Sequence, residues 1–308
     1  MHVVLGAGAT GTATAQLLAS KGKDVRILTR SGSGPASLNI ELVKGDAADP
    51  ATLERLTKGA EALYNCANPL YHQWATQWPP LAESILNAAA SNDVTLVTLS
   101  NLYGYAPSPD PLKETEPLNP PSKKGAIRTA MWNEARAAHE QGRVRAVEAR
   151  ASDFIGPGLG KTSHMGDRVI KPLLAGKAVS TLGNLDVPHT WTAISDVART
   201  LVALGEDESA WGRAWHVPSV EPLSQRALVH RLCVEAGVDP VKIRTMPSWA
   251  VTAIGLFNPV VRELKEVLYQ FEQPFVMDSS ATVEHLSLPP TPLDQTLEAV
   301  VASYGTTS

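Results

Sequence analysis

Short apolar runs alternate with stretches of helical spacing through the first half of the chain. "HVVLG", "DVRIL", "IELVKGD", "ALYNCA", "VTLVTLS" and "VRAVEAR" are compact and apolar, and each predicts a strand. Between them apolar positions recur at helical spacing. Such segments are residues 12–20, "PATLERLTKG" with proline at its start, "PPLAESILNAAASN" opened by prolines, and the segment beginning "SKKGAIRTAMWNE" at Ser122. Strands alternating with helices imply βαβ units and a parallel sheet with helices on both faces. With right-handed crossovers this is a doubly wound, Rossmann-type α/β fold.

After about Gly156 the pattern changes. "GPGLGKTSHMG" is a glycine-rich loop, "ISDVARTLVALG" has helical spacing, "RAWHVP" predicts a further strand, and Pro289, Pro290 and Pro292 mark a late loop. The expected organisation is a dinucleotide-binding domain over 1–155 that also takes in about 190–220. A smaller, mostly helical, discontinuous substrate-binding lobe is expected over 156–308.

Composition narrows the function classes. The net charge of −4 and pI near 6.1 argue against a nucleic-acid partner, which calls for a basic face. The first residues carry no basic n-region or cleavage site. The longest apolar stretch, "WAVTAIGLF" from Trp249, is well short of the roughly 20 residues a bilayer span needs. A cytoplasmic protein without membrane contact is therefore expected. Cys66 and Cys233 are far apart in sequence, which favours two buried free thiols over a disulfide or a metal site.

The first strand runs into "GAGATG", which sets Gly6, Gly8 and Gly11 in G-x-G-x-x-G spacing at the opening of a helix. The first glycine serves a tight turn, the second lets backbone approach a pyrophosphate, and the third lets helix and strand pack closely. The helix N-terminus, with Ala9 and Thr10, then faces the phosphates. The second strand ends "RILTRSG", with no acid to bind a ribose 2′-hydroxyl. Arg30 stands there instead and suits the 2′-phosphate of NADP, so NADP is favoured over NAD. A solvated loop residue is the alternative reading of Arg30. Asp46, with Ala47 after it, borders an adenine pocket or forms a turn or helix cap.

Six blocks in order resemble the short-chain dehydrogenase/reductase superfamily, in its extended epimerase/dehydratase-like branch. They are "GAGATG", "KGDAADPATL", "LYNCAN", "LSNLYGY", "ARASDFIGPG" and "HTWTAISDVART". The resemblance implies NAD(P) binding and chemistry on a small hydroxyl- or carbonyl-bearing substrate, often a nucleotide sugar. It adds Ala67, Asn68 and Phe154 to the cofactor set and suggests a homodimer through two long helices flanking the sheet.

The group's chemistry rests on Ser/Thr with Tyr-x-x-x-Lys. A phenol with a pKa near 10 is a poor base at neutral pH, and a lysine one helical turn on favours its phenolate. No Tyr-x-x-x-Lys occurs in this chain. By position Lys124 replaces the tyrosine and Arg128 the lysine; Arg128 supplies charge and can reach a ribose, and Lys124 is a candidate acid. Ser100 is the hydroxyl of the fifth-strand block, and Tyr103 is a candidate phenol, with Tyr105, Tyr71 and His72 as further options. His164, Arg168 and Lys171 either face a substrate anion or form a solvated basic turn. Trp74, Trp78 and Trp191 are candidate pocket walls among otherwise core tryptophans. Two functions stay open: an atypical NADP-dependent oxidoreductase or epimerase-like enzyme, and a non-catalytic NADP(H)-binding redox sensor.

Overall fold

The structure, a computed structural model, describes residues 1–246, 263 and 265–305. The apolar stretch 249–257 lies outside the described residues. The chain forms two compact units. The first holds Met1–Gly104, Leu118–Ala151 and Val197–Val217; the second holds Tyr105–Pro117, Ser152–Asp196 and Pro218–Ser308.

The first unit is built on a 7-stranded parallel sheet in the order β10 (Ala214–His216), β6 (Ala146–Ala151), β5 (Thr95–Asn101), β4 (Ala62–Asn65), β1 (His2–Leu5), β2 (Val25–Thr29) and β3 (Ile40–Lys44). Strands β1, β4 and β6 are buried along their whole length, β1 as a near-continuous apolar run and β6 with its Glu148 and Arg150 paired at 2.7 Å. At the edge, β3 is largely exposed, and its Glu41 pairs with Arg26 of β2 at 2.6 Å. Strand order reverses between β1 and β4. In such sheets a crevice opens there, beyond the strands' carboxyl ends.

Helices α1 (Ala9–Ser20), α2 (Pro50–Thr57), α3 (Trp74–Ser91), α4 (Lys123–Glu140) and most of α6 (Ile194–Glu206) belong to this unit. Helix α3 starts before its prolines rather than at them, with Pro79 and Pro80 inside. Proline inside a helix costs roughly 3 kcal/mol in lost bonding and clash. The added first turn buries Trp74 and Trp78 to 1% and 0% exposure. Two indoles burying roughly 150–250 Å² each, at about 25 cal/mol per Å², outweigh that cost.

The second unit carries two short parallel pairs, β7 (Asp153–Ile155) with β9 (Trp191–Ala193) and β8 (Val179–Leu182) with β11 (Ile243–Met246). Around them lie α5 (Asp167–Leu174), α7 (Gln225–Glu235) and helices Ser280–Leu286 and Leu293–Gly305. Val169, Leu173, Trp191, Leu228, Phe271 and Leu297 are part of its core.

Candidate functional site

The turn after β1 is open where a ligand needs it and closed where packing needs it. Gly6 has φ +90°, in the region that favours glycine. A Cβ on Gly11 would meet the Gly6 carbonyl oxygen at 2.1 Å, so only glycine brings α1 this close to β1. A Cβ on Gly8 would meet nothing within 4 Å. Gly8 is also the N-cap of α1; no side chain caps the helix, and no acid stands in its first turn. The first amides of Ala9, Thr10 and Gly11 therefore carry the positive end of the helix dipole without a side-chain acceptor. A diphosphate supplies acceptors of the right sign for such a terminus.

Around this turn the other expected cofactor residues take defined places. Cys66 follows β4, and its backbone oxygen would lie 3.1 Å from a Cβ on Gly6. Burial pushes the Cys66 thiol up to about 12, against hydrogen bonds with Thr14 and Thr10, so it is no nucleophile at neutral pH. Ala67 is half-buried, its amide donating to Asn65 Oδ1 at 3.3 Å, and Asn68 is exposed. Arg30 is exposed just past β2, and no carboxylate pairs with it among the described residues. The Ser31 and Ser33 hydroxyls beside it lie 2.6 Å apart. Asp46 Oδ1 accepts from the Ala48 amide at 3.0 Å, which makes it a turn-former, and Asp49 is the N-cap of α2.

The expected catalytic residues meet at the start of α4. Ser122 caps this helix by accepting from the Gly125 amide at 3.1 Å. A Cβ on Gly125 would lie 2.1 Å from the Tyr103 carbonyl oxygen, so glycine lets the helix start press against the loop after β5. This brings Lys124 and Arg128, one turn apart, into the interior at 2% and 6% exposure. The Arg128 guanidinium lies 4.9 Å from the Trp74 ring centre and 4.3 Å from that of Trp78. Its Nη1 donates to the Leu99 carbonyl at 3.4 Å. Burial pushes Arg128 down to about 10, opposed by Glu148, Tyr71 and Tyr103. Cations near a helix N-terminus cost roughly 0.3–1 kcal/mol. Desolvated cation–π contacts contribute about 2 kcal/mol, so the two indoles, with the charge of Glu148, offset part of the desolvation of the buried guanidinium.

Two phenols complete this cluster. Tyr71, in the single-turn helix Tyr71–Gln73 ahead of α3, brings its hydroxyl to 2.6 Å from that of Tyr103. Lys124 Nζ sits 5.5 Å from the Tyr71 ring centre. His72, next to Tyr71, is exposed. Ser100 is buried, and its hydroxyl hydrogen-bonds Glu148. Burial raises the Glu148 carboxyl, against the charge of Arg150 at 2.7 Å and of Arg128.

The remaining candidates lie in the second unit. Phe154 is half-buried in β7. His164 stacks on Phe271 at 4.0 Å between ring centres, and its Nε2 lies 2.9 Å from Gln225 Oε1. Burial lowers its basicity, with Asp153 the largest opposing influence. Arg168 and Lys171 are exposed, and Lys171 pairs with Asp167 at 3.1 Å. The buried His189 is a group the sequence did not single out; its Nε2 lies 3.0 Å from Asp153 Oδ2 and its Nδ1 3.2 Å from the Gln270 carbonyl oxygen. Burial raises Asp153, but the hydrogen bond and charge of His189 prevail and hold the carboxyl below its usual range. Among the described residues no group of three or more His, Cys, Asp or Glu side chains is placed to hold a metal ion, and no helix is long and apolar enough to cross a membrane.

Comparison with known proteins gives this architecture a family. Residues 2–217 match the sequence model of the NAD dependent epimerase/dehydratase family. Comparison with curated protein sequences gives no match. Among solved structures, a UDP-N-acetylglucosamine 4-epimerase from Methanobrevibacter ruminantium M1, in complex with UDP-N-acetylmuramic acid, is similar at a TM-score of 0.82 and 17% identity, over 100% of this chain and 98% of that one. UDP-glucose 4-epimerase from Thermotoga maritima with UDP-glucose gives 0.80 and 17%, over 100% and 99%. A dTDP-glucose 4,6-dehydratase from Streptomyces venezuelae with bound NAD gives 0.78 and 19%, over 100% and 97%. The chain belongs to the NAD dependent epimerase/dehydratase family.

Proposed function

We infer that this member of the family is an NADP-dependent enzyme acting on a small hydroxyl- or carbonyl-bearing substrate by hydride and proton exchange. The observation that carries the reading is the uncapped N-terminus of α1 behind Gly8, open to a ligand and free of acids. Gly6, Gly8, Ala9, Thr10 and Gly11 would hold the pyrophosphate. Arg30, with no acid at the end of β2, would pair with a 2′-phosphate. Ala47 beside Asp46, and Ala67 with Asn68, would border the rest of the dinucleotide. When bound, the nicotinamide supplies or accepts a hydride.

The chain's own part is electrostatic and protic. Lys124 and Arg128 hold positive charge at the helix position where the family's phenol and ammonium stand, which favours an anionic oxygen nearby. The hydrogen-bonded Tyr71 and Tyr103 bring phenols to this charge, and Ser100, through Glu148, ties β5 to the same network. The nucleotide sugars bound to the similar structures make that substrate class the first to test. A panel of carbonyl compounds and nucleotide sugars, incubated with NADPH and with NADP⁺, is the experiment. Turnover of a panel member supports the enzyme. The deep burial of Lys124 and Arg128 favours one second reading, a non-catalytic NADP(H) sensor. Tight NADPH binding with no turnover across the panel selects that sensor.

A further inference from the structure

Six tyrosines occur in the chain, and two of them share a hydrogen bond between their hydroxyls at 2.6 Å. They come from different segments, Tyr71 from the turn after β4 and Tyr103 from the loop after β5. The pair is braced on several sides. The Tyr71 ring meets Trp74 edge-on at 5.2 Å, and the Tyr103 ring lies 6.2 Å from the same indole. Gly125 lets the first turn of α4 abut the Tyr103 carbonyl, which fixes the loop that carries this phenol. Tyr103 is 9% exposed, whereas Tyr71 is only half-buried. Of the two, Tyr71 is therefore the phenol with more access to a ligand.

The charges around the pair favour loss of a proton from it. The Lys124 ammonium lies over the Tyr71 ring, and the charge of a phenolate spreads onto the ring carbons. Arg128, one turn on, interacts electrostatically with both phenols. Where the family joins phenol and ammonium on one helix, this chain keeps two cations on α4 and brings the phenols from elsewhere.

We propose that Tyr71 is the catalytic acid and base of this site and that Tyr103 is its positioning donor. The proposal rests on the enzymatic reading above. In one direction the Tyr71 O–H bond breaks, an O–H bond forms on the substrate oxygen, and Tyr71 is left as a phenolate. Tyr103 keeps its own proton and donates it in a hydrogen bond to the Tyr71 oxygen. In the other direction the phenolate takes the proton back from a substrate hydroxyl.

The test is an NMR titration of protein labelled at tyrosine Cζ, without nucleotide, in wild type, Tyr71→Phe, Tyr103→Phe, Lys124→Met and Tyr64→Phe. An ordinary phenol titrates near 10. Burial raises Tyr64 and Tyr304 above that value and Tyr269 to about 12, so these three stay out of the window. The expected result is one resonance that titrates below about 10 in wild type and in Tyr64→Phe. It disappears in Tyr71→Phe and moves up by about one pH unit or more in Tyr103→Phe and in Lys124→Met. An early resonance that survives Tyr71→Phe, or a wild type with no early phenol, overturns the proposal. Should Tyr71→Phe fail to fold, the shifts in the other two variants decide. With a substrate in hand, Tyr71→Phe should lower kcat by about 100-fold or more, and Tyr103→Phe should move the basic limb of the pH–rate profile upward. NADPH binding measured on the same samples separates the two ideas. Wild type that binds NADPH but shows no early phenol defeats the pair alone, and an early phenol without NADPH binding defeats the cofactor reading alone.

Discussion

The glycine turn behind β1 and the cation–phenol cluster at α4 make polar sites in the same unit by opposite means. The turn uses backbone only: three glycines within six consecutive residues shape it, and its amides carry the charge. The cluster uses side chains from three separate segments, and no two of its members Tyr71, Tyr103 and Lys124 are closer than 21 residues in sequence. A backbone site is fixed by local spacing, so it survives changes elsewhere. A side-chain site depends on packing, so its chemistry and the stability of its unit are coupled.

The sharpest way to break the comparison lies within the turn itself. Gly11→Ala places a methyl 2.1 Å from the Gly6 carbonyl oxygen, so α1 must move away from β1. A loss of about 3 kcal/mol in urea-unfolding stability is expected. Gly8→Ala meets nothing, so stability should hold within about 0.5 kcal/mol. NADPH affinity should still fall at least ten-fold, or about 1.4 kcal/mol. Equal behaviour of the two variants would break the division between packing and binding glycines.

Arg30→Ala comes next. A charge-assisted bond to phosphate contributes about 1.5–3 kcal/mol, so NADPH affinity should drop by roughly 10- to 100-fold while NADH affinity stays level. In the cluster, Arg128→Lys keeps the charge and loses the flat guanidinium over two indoles. A melting experiment should show a loss of about 1–2 kcal/mol. If stability does not change, the indoles do not hold the cation and the cluster is less coupled to packing than argued.

The smallest effect is expected in the second unit. Asp153 is held below its usual carboxylate range by His189. Its folded pKa lies under the unfolded value near 3.9, so its contribution to stability is present above that value and lost as pH falls through the folded pKa. Asp153→Asn should flatten the acid side of the urea-midpoint profile below about pH 4 and leave the neutral side's slope unchanged.

What could be read from the sequence follows the same division. The strands of the main sheet stand out because each is a compact run with apolar positions, most of them buried between helices, with β3 exposed at the edge. The glycine turn stands out because its spacing is local. The true start of α3 is hidden, since prolines normally mark a helix opening and the burial of Trp74 and Trp78 overrides them. The choice between Tyr71 and His72 is also hidden. They are neighbours in one short turn, and tertiary contacts with Trp74 and Tyr103 turn the phenol inward. Gly125 carries no periodic signal, although it sets how closely α4 approaches Tyr103. Asp153 and His189 lie 36 residues apart, and no motif joins them.

The central claim is that the turn behind β1 and the arginine beyond β2 form an NADP(H) site. Calorimetric titration of the wild-type protein with NADPH and with NADH tests it most directly. NADPH should bind at least about ten-fold more tightly than NADH, the equivalent of roughly 1.4 kcal/mol, and Gly8→Ala should weaken both. Absence of binding, or tighter binding of NADH, would contradict the account.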